Sequence, residues 1–272
     1  MLKYICRQAL IRACTLDETH PLHKITASPT KIRANPLPHK APISKLRRIF
    51  NIDPSKVEKI GRITYSTANG RIFSTVVHSS QEESIEAEQN DKATTKIFTD
   101  GLGYQGGAGA AAVIYQNGFN APTNSLKCHL GQLMDHSTYE GEAAGLILAA
   151  WLIRLHCKNQ VGTEDISIYT DCQSIVDSVY DMKPGPGQYL LNEFHVLIAL
   201  LANKGKKVSK FTINWISAHS NVQGNEQVDK IAKEAAQGQS TPRIFLPPLL
   251  RRPLPIAKSA LIQKAKEARL AE

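Results

Sequence analysis

Four carboxylates stand at the ends of segments that read as regular structure. Asp100 closes the β-type run TKIFTDG, and Asp171 closes a second one, DISIYTD. Glu142 falls in the first turns of the helical stretch TYEGEAAGLILAAWLIRLH, and Asp229 in the first turns of NEQVDKIAKEAAQG. A single strand-end Asp-Gly is an ordinary turn signal. Four acids, each near the end of an element, are a stronger one, because ligands of α/β sheets gather at the carboxyl ends of the strands. If the two strands are parallel neighbours, Asp100 and Asp171 meet. Carboxylates ~4 Å apart repel by about 4 kcal/mol per pair at an effective dielectric of 20, so such a group stays ionised only beside cations. Asp165, Asp177 and Asp181 have no comparable positions and read as solvated.

The elements that must position these acids follow from periodicity and turn residues. TKIFTDG, AGAAAVIYQ and SLKCHLG are three short runs with short gaps, as in an antiparallel meander. A long helix follows, then DISIYTD, a helix over CQSIVDSVYDM stopped by Pro184, a helix over QYLLNEFHVLIALLANKG, a fifth strand in SKFTINWISAH, and a last helix. The order βββ-α-β-α-α-β-α describes one α/β domain of five strands, three and then two single ones. Within the first long helix, Ser137-Thr138-Tyr139-Glu140 fits a capping box, which gives Glu140 a structural task and leaves Glu142 for chemistry.

Around this domain the composition changes. The chain has 272 residues and a net charge of +9, distributed as +8 over residues 1–60, −2 over 61–95, −2 over 96–238 and +5 over 239–272. The expected organisation is a basic, proline-rich segment over 1–60, an acidic linker over 61–94 with a flexible stretch at 78–92, the α/β domain over 95–238, and a basic, proline-rich tail over 239–272. Pro29, Pro36, Pro38 and Pro42 interrupt the first segment, and a basic helix is expected from about Ala257. Basic arms suit a polyanion, and equally suit solvated linkers. The longest apolar run, Ala143–Ile153, is too short to cross a bilayer. Five cysteines without a C-x-x-C pair argue against a disulfide scaffold or a zinc ribbon, and fit the nucleus or cytoplasm better than secretion. The first sixteen residues lack acids, but Asp17 and Glu18 follow at once, which weighs against an organelle presequence.

FTDGLGYQGGAGAAAVIY, STYEGEAAGLILA, IYTDCQS and WISAHSNVQGNEQVDKIAKEA, in that order, resemble the motifs of the type 1 ribonuclease H family over about residues 95–238. The set is most similar to the ribonuclease H domains of non-LTR retrotransposon reverse transcriptases, and MLKYICRQALIRACTLDETHPLHK resembles the end of a reverse transcriptase region. The resemblance implies a ribonuclease H-like fold, a five-stranded mixed sheet with three antiparallel strands, then two parallel ones, and helices on both faces. It implies a metal-dependent endonuclease that hydrolyses the RNA strand of RNA–DNA hybrids, with a reverse transcriptase region as a second partner and no membrane.

By motif position the implied metal ligands are Asp100, Glu142, Asp171 and Asp229, with Asp100 bridging two Mg²⁺ ions, for which Mn²⁺ can substitute. Hard oxygen ligands suit these ions, and a metal pair activates water and stabilises the leaving oxygen without a protein nucleophile. His219, in the Ala-His-Ser loop, is implied in proton movement or product departure. Thr138, Tyr139, Gln173 and Asn225 occupy the family's substrate-contacting positions, although Thr138 and Tyr139 replace amides common there. KPGPGQ at 183–188 and KGKKVSK at 204–210 are open to holding the hybrid's backbone or to being solvated turns. Two readings compete with a nuclease of retroelement origin. One is a non-catalytic nucleic-acid-binding remnant of a retroelement. The other is the related exonuclease fold, whose Asp-x-Glu on the first strand is absent from Asp100-Gly101-Leu102.

Overall fold

The computed structural model describes residues 1–27, 42–64, 73–116, 120–157, 164–203 and 208–270. They form two compact units, one of residues 63–183 and 190–254, the other of residues 1–62, 184–189 and 255–272.

The larger unit is built on a six-stranded sheet of β1 (Ser74–Val76), β2 (Thr95–Tyr104), β3 (Gly107–Gln116), β4 (Asn124–Gln132), β5 (Glu164–Thr170) and β6 (Val208–Trp215), in the order β1-β6-β5-β2-β3-β4. β2, β3 and β4 are the expected antiparallel meander. β5 and β6 run parallel to β2. The sheet has one strand more than the sequence reading. β1 pairs in parallel with β6 over three residues, too few to show an alternating pattern.

Helices cover both faces. α5 (Thr138–His156) lies against β2 and β3 on one side and α8 (Gln223–Ala236) on the other. Residues of a strand alternate between faces, so Gly101 looks toward α5 while Phe98 and Asp100 look toward α8. At Gly101 the two backbones touch. A Cβ there would lie 1.9 Å from the carbonyl carbon of Gly141, so glycine alone admits the contact. On the opposite face the ring of Phe98 lies 2.2 Å from where a Cβ of Gly224 would be. The α8-side core joins Phe98, Ala111, Val113, Tyr169, Ile216, Val228 and Ala232. α6 (Gln173–Tyr180) and α7 (Gln188–Asn203) complete the set of helices expected from the sequence.

The stretch at 78–92, read as flexible, contains a helix, α4 (Gln81–Asn90). It has no apolar stripe to reveal it. Its start is made by polar caps instead. The Ser80 side chain accepts from the Glu83 N–H, and Glu83 accepts from the N–H and hydroxyl of Ser79. Ser84 and Ile85 turn inward from it.

The smaller unit unites the two ends of the chain. α1 (Leu2–Cys14), α3 (Pro42–Phe50) and α9 (Lys258–Leu270) surround a core of Leu10, Ile11, Cys14, Ile52, Val57, Leu261 and Ala265, and α2 (His23–Ala27) lies against α1. The Glu58 carboxylate is buried and accepts from the backbone N–H of Gly187 at 2.7 Å and of Lys258 at 2.5 Å, which ties three distant chain segments together. Bridges Leu16–Ile60 and Val57–Ile256 reinforce the junction.

Candidate active site

The register of β2 with β5 pairs Phe98 with Tyr169 and Thr99 with Thr170. The next positions on the two parallel strands are Asp100 and Asp171, both on the α8 side. Glu142 comes from the opposite face. The Gly101–Gly141 contact draws the first turns of α5 onto the strand end, and the Thr170 hydroxyl, from the α5 face of β5, donates to the Glu142 carboxylate at 3.3 Å. One carboxylate oxygen from each of Asp100, Glu142 and Asp171 lies within 4.8 Å of the others. Asp100 and Glu142 are 6% and 7% exposed.

Burial and proximity together oppose ionisation here. Burial first, then the charges of Asp171 and Asp229, push the Asp100 carboxyl up to about 7, against partial relief from the Gly101 N–H and Lys233. Burial, then Asp100 and Asp171, hold Glu142 well above the usual carboxylate range. Asp171 is raised mainly by burial and is eased by the Asn225 amide and by the charge of His219. Three hard oxygen donors that resist simultaneous ionisation, with no sulfur or nitrogen among the three, fit a hard divalent cation.

Asp229, on α8, contributes its charge to the group and is paired with Lys233 one turn on. That hydrogen bond, the first of several carboxylate effects, holds the Lys233 ammonium above its ordinary range.

The RNase H family model matches residues 91–237, just over half of the chain and the whole of this constellation. The chain belongs to the RNase H family. No curated protein matches it. Solved structures with similar geometry include the N-terminal RNase H domain of a Mycobacterium tuberculosis protein, determined as a fusion with maltose-binding protein (17% identity, 54% of this chain and 95% of that one, TM-score 0.41). RNase H1 of the halophilic archaeon Halobacterium salinarum matches at 16% identity over 53% of this chain and 98% of that one, TM-score 0.40. LC11-RNase H1, solved in complex with an RNA/DNA hybrid, matches at 16% identity over 53% and 96%, TM-score 0.41.

The other residues singled out from the sequence fall into distinct environments. Glu140 is fully buried and makes the capping box with Ser137, accepting from its N–H at 3.0 Å while the Ser137 hydroxyl accepts from the Glu140 N–H. His219 is exposed on the loop between β6 and α8, with φ at 51°, and Asn221 follows at 57°. Thr138 and Gln173 are exposed at the first positions of α5 and α6. Tyr139 is half-buried and hydrogen-bonded to Ser178. Asn225 is only 3% exposed. Its amide serves Asp171, and its Oδ1 is buried without a partner. Residues 204–207 of the lysine-rich run lie outside the described residues.

Two supports escaped the sequence reading. The Ser217 N–H, at the root of the His219 loop, donates to the Ser84 hydroxyl of α4 at 3.2 Å. The Trp215 indole donates to the Asp171 carbonyl at 3.1 Å. The S-x-x-E pattern of Ser80–Glu83 could have revealed α4, but nothing local marks Ser84 or Trp215 as neighbours of the site.

Proposed function

We propose that the chain is a metal-dependent endonuclease that hydrolyses the RNA strand of RNA–DNA hybrids. The observation that carries this reading is the convergence of Asp100, Glu142 and Asp171, within 4.8 Å of one another, in a chain of the RNase H family. The RNA/DNA hybrid bound by LC11-RNase H1 is in keeping with it. Asp100, Glu142, Asp171 and Asp229 would hold two Mg²⁺ ions, or Mn²⁺ in their place. Such ions, when bound, neutralise the carboxylates, lower the pKa of attacking water and stabilise charge on the leaving oxygen. Thr170 orients Glu142 and Asn225 orients Asp171, so both carboxylates are held before the substrate arrives. Asp229, paired with Lys233, would complete the ligand set once freed from that pair. His219, solvent-facing and close enough to influence Asp171, moves a proton to or from the departing product. Thr138, Tyr139 and Gln173 lie at the entrances of α5 and α6 and meet the hybrid, where only contact with a 2′-hydroxyl distinguishes RNA from DNA. We assign the domain a retroelement origin on its motif resemblance, with a reverse transcriptase region as its natural neighbour.

Incubating a labelled RNA–DNA hybrid with and without Mg²⁺, beside double-stranded DNA and RNA, tests the reading. Hybrid-specific cleavage that stops in EDTA is expected. Cleavage undiminished in EDTA, or none with either Mg²⁺ or Mn²⁺, would refute it.

A further inference from the structure

The smaller unit concentrates the chain's positive charge. Residues 1–62 hold 13 Lys/Arg against 4 Asp/Glu, and residues 255–272 hold 4 against 2, so this unit carries +11 while the larger one carries −2. Two basic arms that are far apart in sequence therefore fold into one body, with a shared apolar core and the Glu58 clamp.

Four of this unit's six acids accept hydrogen bonds from within it. Asp17 accepts from the N–H and hydroxyl of Thr19 and from the His20 N–H. Asp53 accepts from the N–H and hydroxyl of Ser55. Glu58 is buried on two backbone donors, and Glu267 accepts from the Gln263 amide. Two of the cations are engaged internally as well: the Lys59 ammonium donates to the Cys14 and Pro54 carbonyls at 2.5 and 2.8 Å, and the Arg47 guanidinium donates to the Thr26 carbonyl at 3.2 Å. Others face solvent from three helices that share the core: Arg12 on α1, Lys45 and Arg48 on α3, and Lys266 on α9. Arg269 lies 5.2 Å from the Tyr4 ring centroid and fastens α9 to α1.

We infer that the two ends of the chain form a composite module that grips the phosphate backbone of double-stranded nucleic acid without reading its sequence. Charge complementarity selects the partner. The apolar faces of α1, α3 and α9 supply the module's own core, which leaves cations as the dominant outward chemistry, and phosphate is the polyanion that an RNase H chain meets. An acidic lipid surface would attract the same cations, and Leu2 and Ile5 on α1 and Ile49 on α3 are exposed as well, so vesicles are an arm of the test.

Each phosphate neutralised contributes about −0.9 to the slope of log K against log salt on duplex DNA. The experiment uses the full chain in EDTA with a fluorescein-labelled DNA duplex, read by anisotropy between about 50 and 200 mM salt. Binding is then measured without cleavage and without a hybrid, so its outcome is separate from that of the nuclease reading. The variant Arg12→Gln/Lys45→Gln/Arg48→Gln/Lys266→Gln should lower the slope by about two to four and keep the wild-type melting temperature. The control Lys92→Gln/Lys230→Gln/Arg243→Gln/Arg252→Gln, which removes four exposed charges from the larger unit, should lower it by less than about one. If the fourfold variant melts early, the pairs Arg12→Gln/Lys266→Gln and Lys45→Gln/Arg48→Gln, read separately, should each lower the slope by about one or more. Equal losses in variant and control, or no loss in the variant, would overturn the inference. So would a variant that loses binding to phosphatidylserine vesicles while keeping the wild-type slope on DNA.

Discussion

Asp100→Asn should make the metal-free protein more stable, not less. The native carboxyl of Asp100 is pushed up to about 7, whereas an unfolded aspartate titrates near ~3.9. The sign follows from proton binding. Between those two values the native state holds a proton that the unfolded state has released, so stability falls as pH rises through this window. About three pK units at 1.36 kcal/mol each amount to on the order of 4 kcal/mol lost by pH 8. Asparagine keeps the shape, removes this loss, and relieves Glu142, on which Asp100 acts directly. The variant should therefore gain on the order of 2–4 kcal/mol at pH 8 in EDTA, or roughly 5–15 °C in melting temperature for a unit of this size. At about pH 3 the gain should nearly vanish, because the unfolded carboxyl, with its pKa of ~3.9, is then protonated as well as the native one. Mg²⁺ should reverse the ranking of responses: ligand at about 100 times Kd stabilises the folded state by about 2.7 kcal/mol, and the wild type should gain more of this than the variant. Thermal melts by circular dichroism at both pH values, with EDTA and with Mg²⁺, measure each quantity. A variant no more stable than wild type at pH 8 without metal, or equal Mg²⁺ shifts in both proteins, would refute the electrostatic reasoning.

Other consequences are equally concrete. Gly101→Ala should destabilise by 3 kcal/mol or more in urea unfolding, above the usual ~1–3 kcal/mol of overpacking, because the added Cβ meets the backbone of Gly141 at 1.9 Å; a loss under about 1 kcal/mol would contradict that contact. Ser137→Ala should cost about 1 kcal/mol through the lost cap with hybrid turnover near wild type, whereas Glu142→Gln should abolish turnover without loss of stability; the reverse pattern would exchange the tasks of Glu140 and Glu142. His219→Ala should lower turnover by about 10²–10⁴-fold, the usual range for a proton-transfer group, with the Mg²⁺-induced melting shift retained; wild-type turnover would return it to an ordinary loop residue. Ser84→Ala should weaken the support of the His219 loop and lower turnover by a smaller factor than His219→Ala, as steady-state kinetics on the hybrid would show.

Much of the fold was legible because its long elements carry strong local signals. The β2–β4 meander, α5 with its capping box, β5, α6, α7, β6 and α8 each show periodicity, a cap or a glycine end. β1 was too short to alternate, and α4, whose one large apolar residue is Ile85, is started by Ser79, Ser80 and Glu83 rather than by an apolar stripe. The meeting of Asp100, Glu142 and Asp171 was legible, because strand-end and helix-start positions can be read from the chain. The site's supports were not. The roles of Ser84 and Trp215, and the burial of Asn225 against Asp171, depend on packing between distant segments, whereas the Asp229–Lys233 pair is local, one turn apart on α8. The union of residues 1–62 with 255–272 was equally invisible, because a contact such as Glu58 with the N–H of Lys258 leaves no periodic trace in either segment.

Strand-resolved cleavage tests the central claim most directly. An RNA–DNA hybrid labelled on either strand, incubated with Mg²⁺ and the wild type or one of Asp100→Asn, Glu142→Gln, Asp171→Asn and Asp229→Asn, reports both the strand that is cut and the carboxylates required. The account predicts that the wild type cuts only the RNA strand, leaving 3′-hydroxyl and 5′-phosphate ends, and that Asp100→Asn, Glu142→Gln and Asp171→Asn are inactive, with Asp229→Asn strongly impaired. Cleavage of the DNA strand at a comparable rate, or full activity after any one of the first three substitutions, would contradict it.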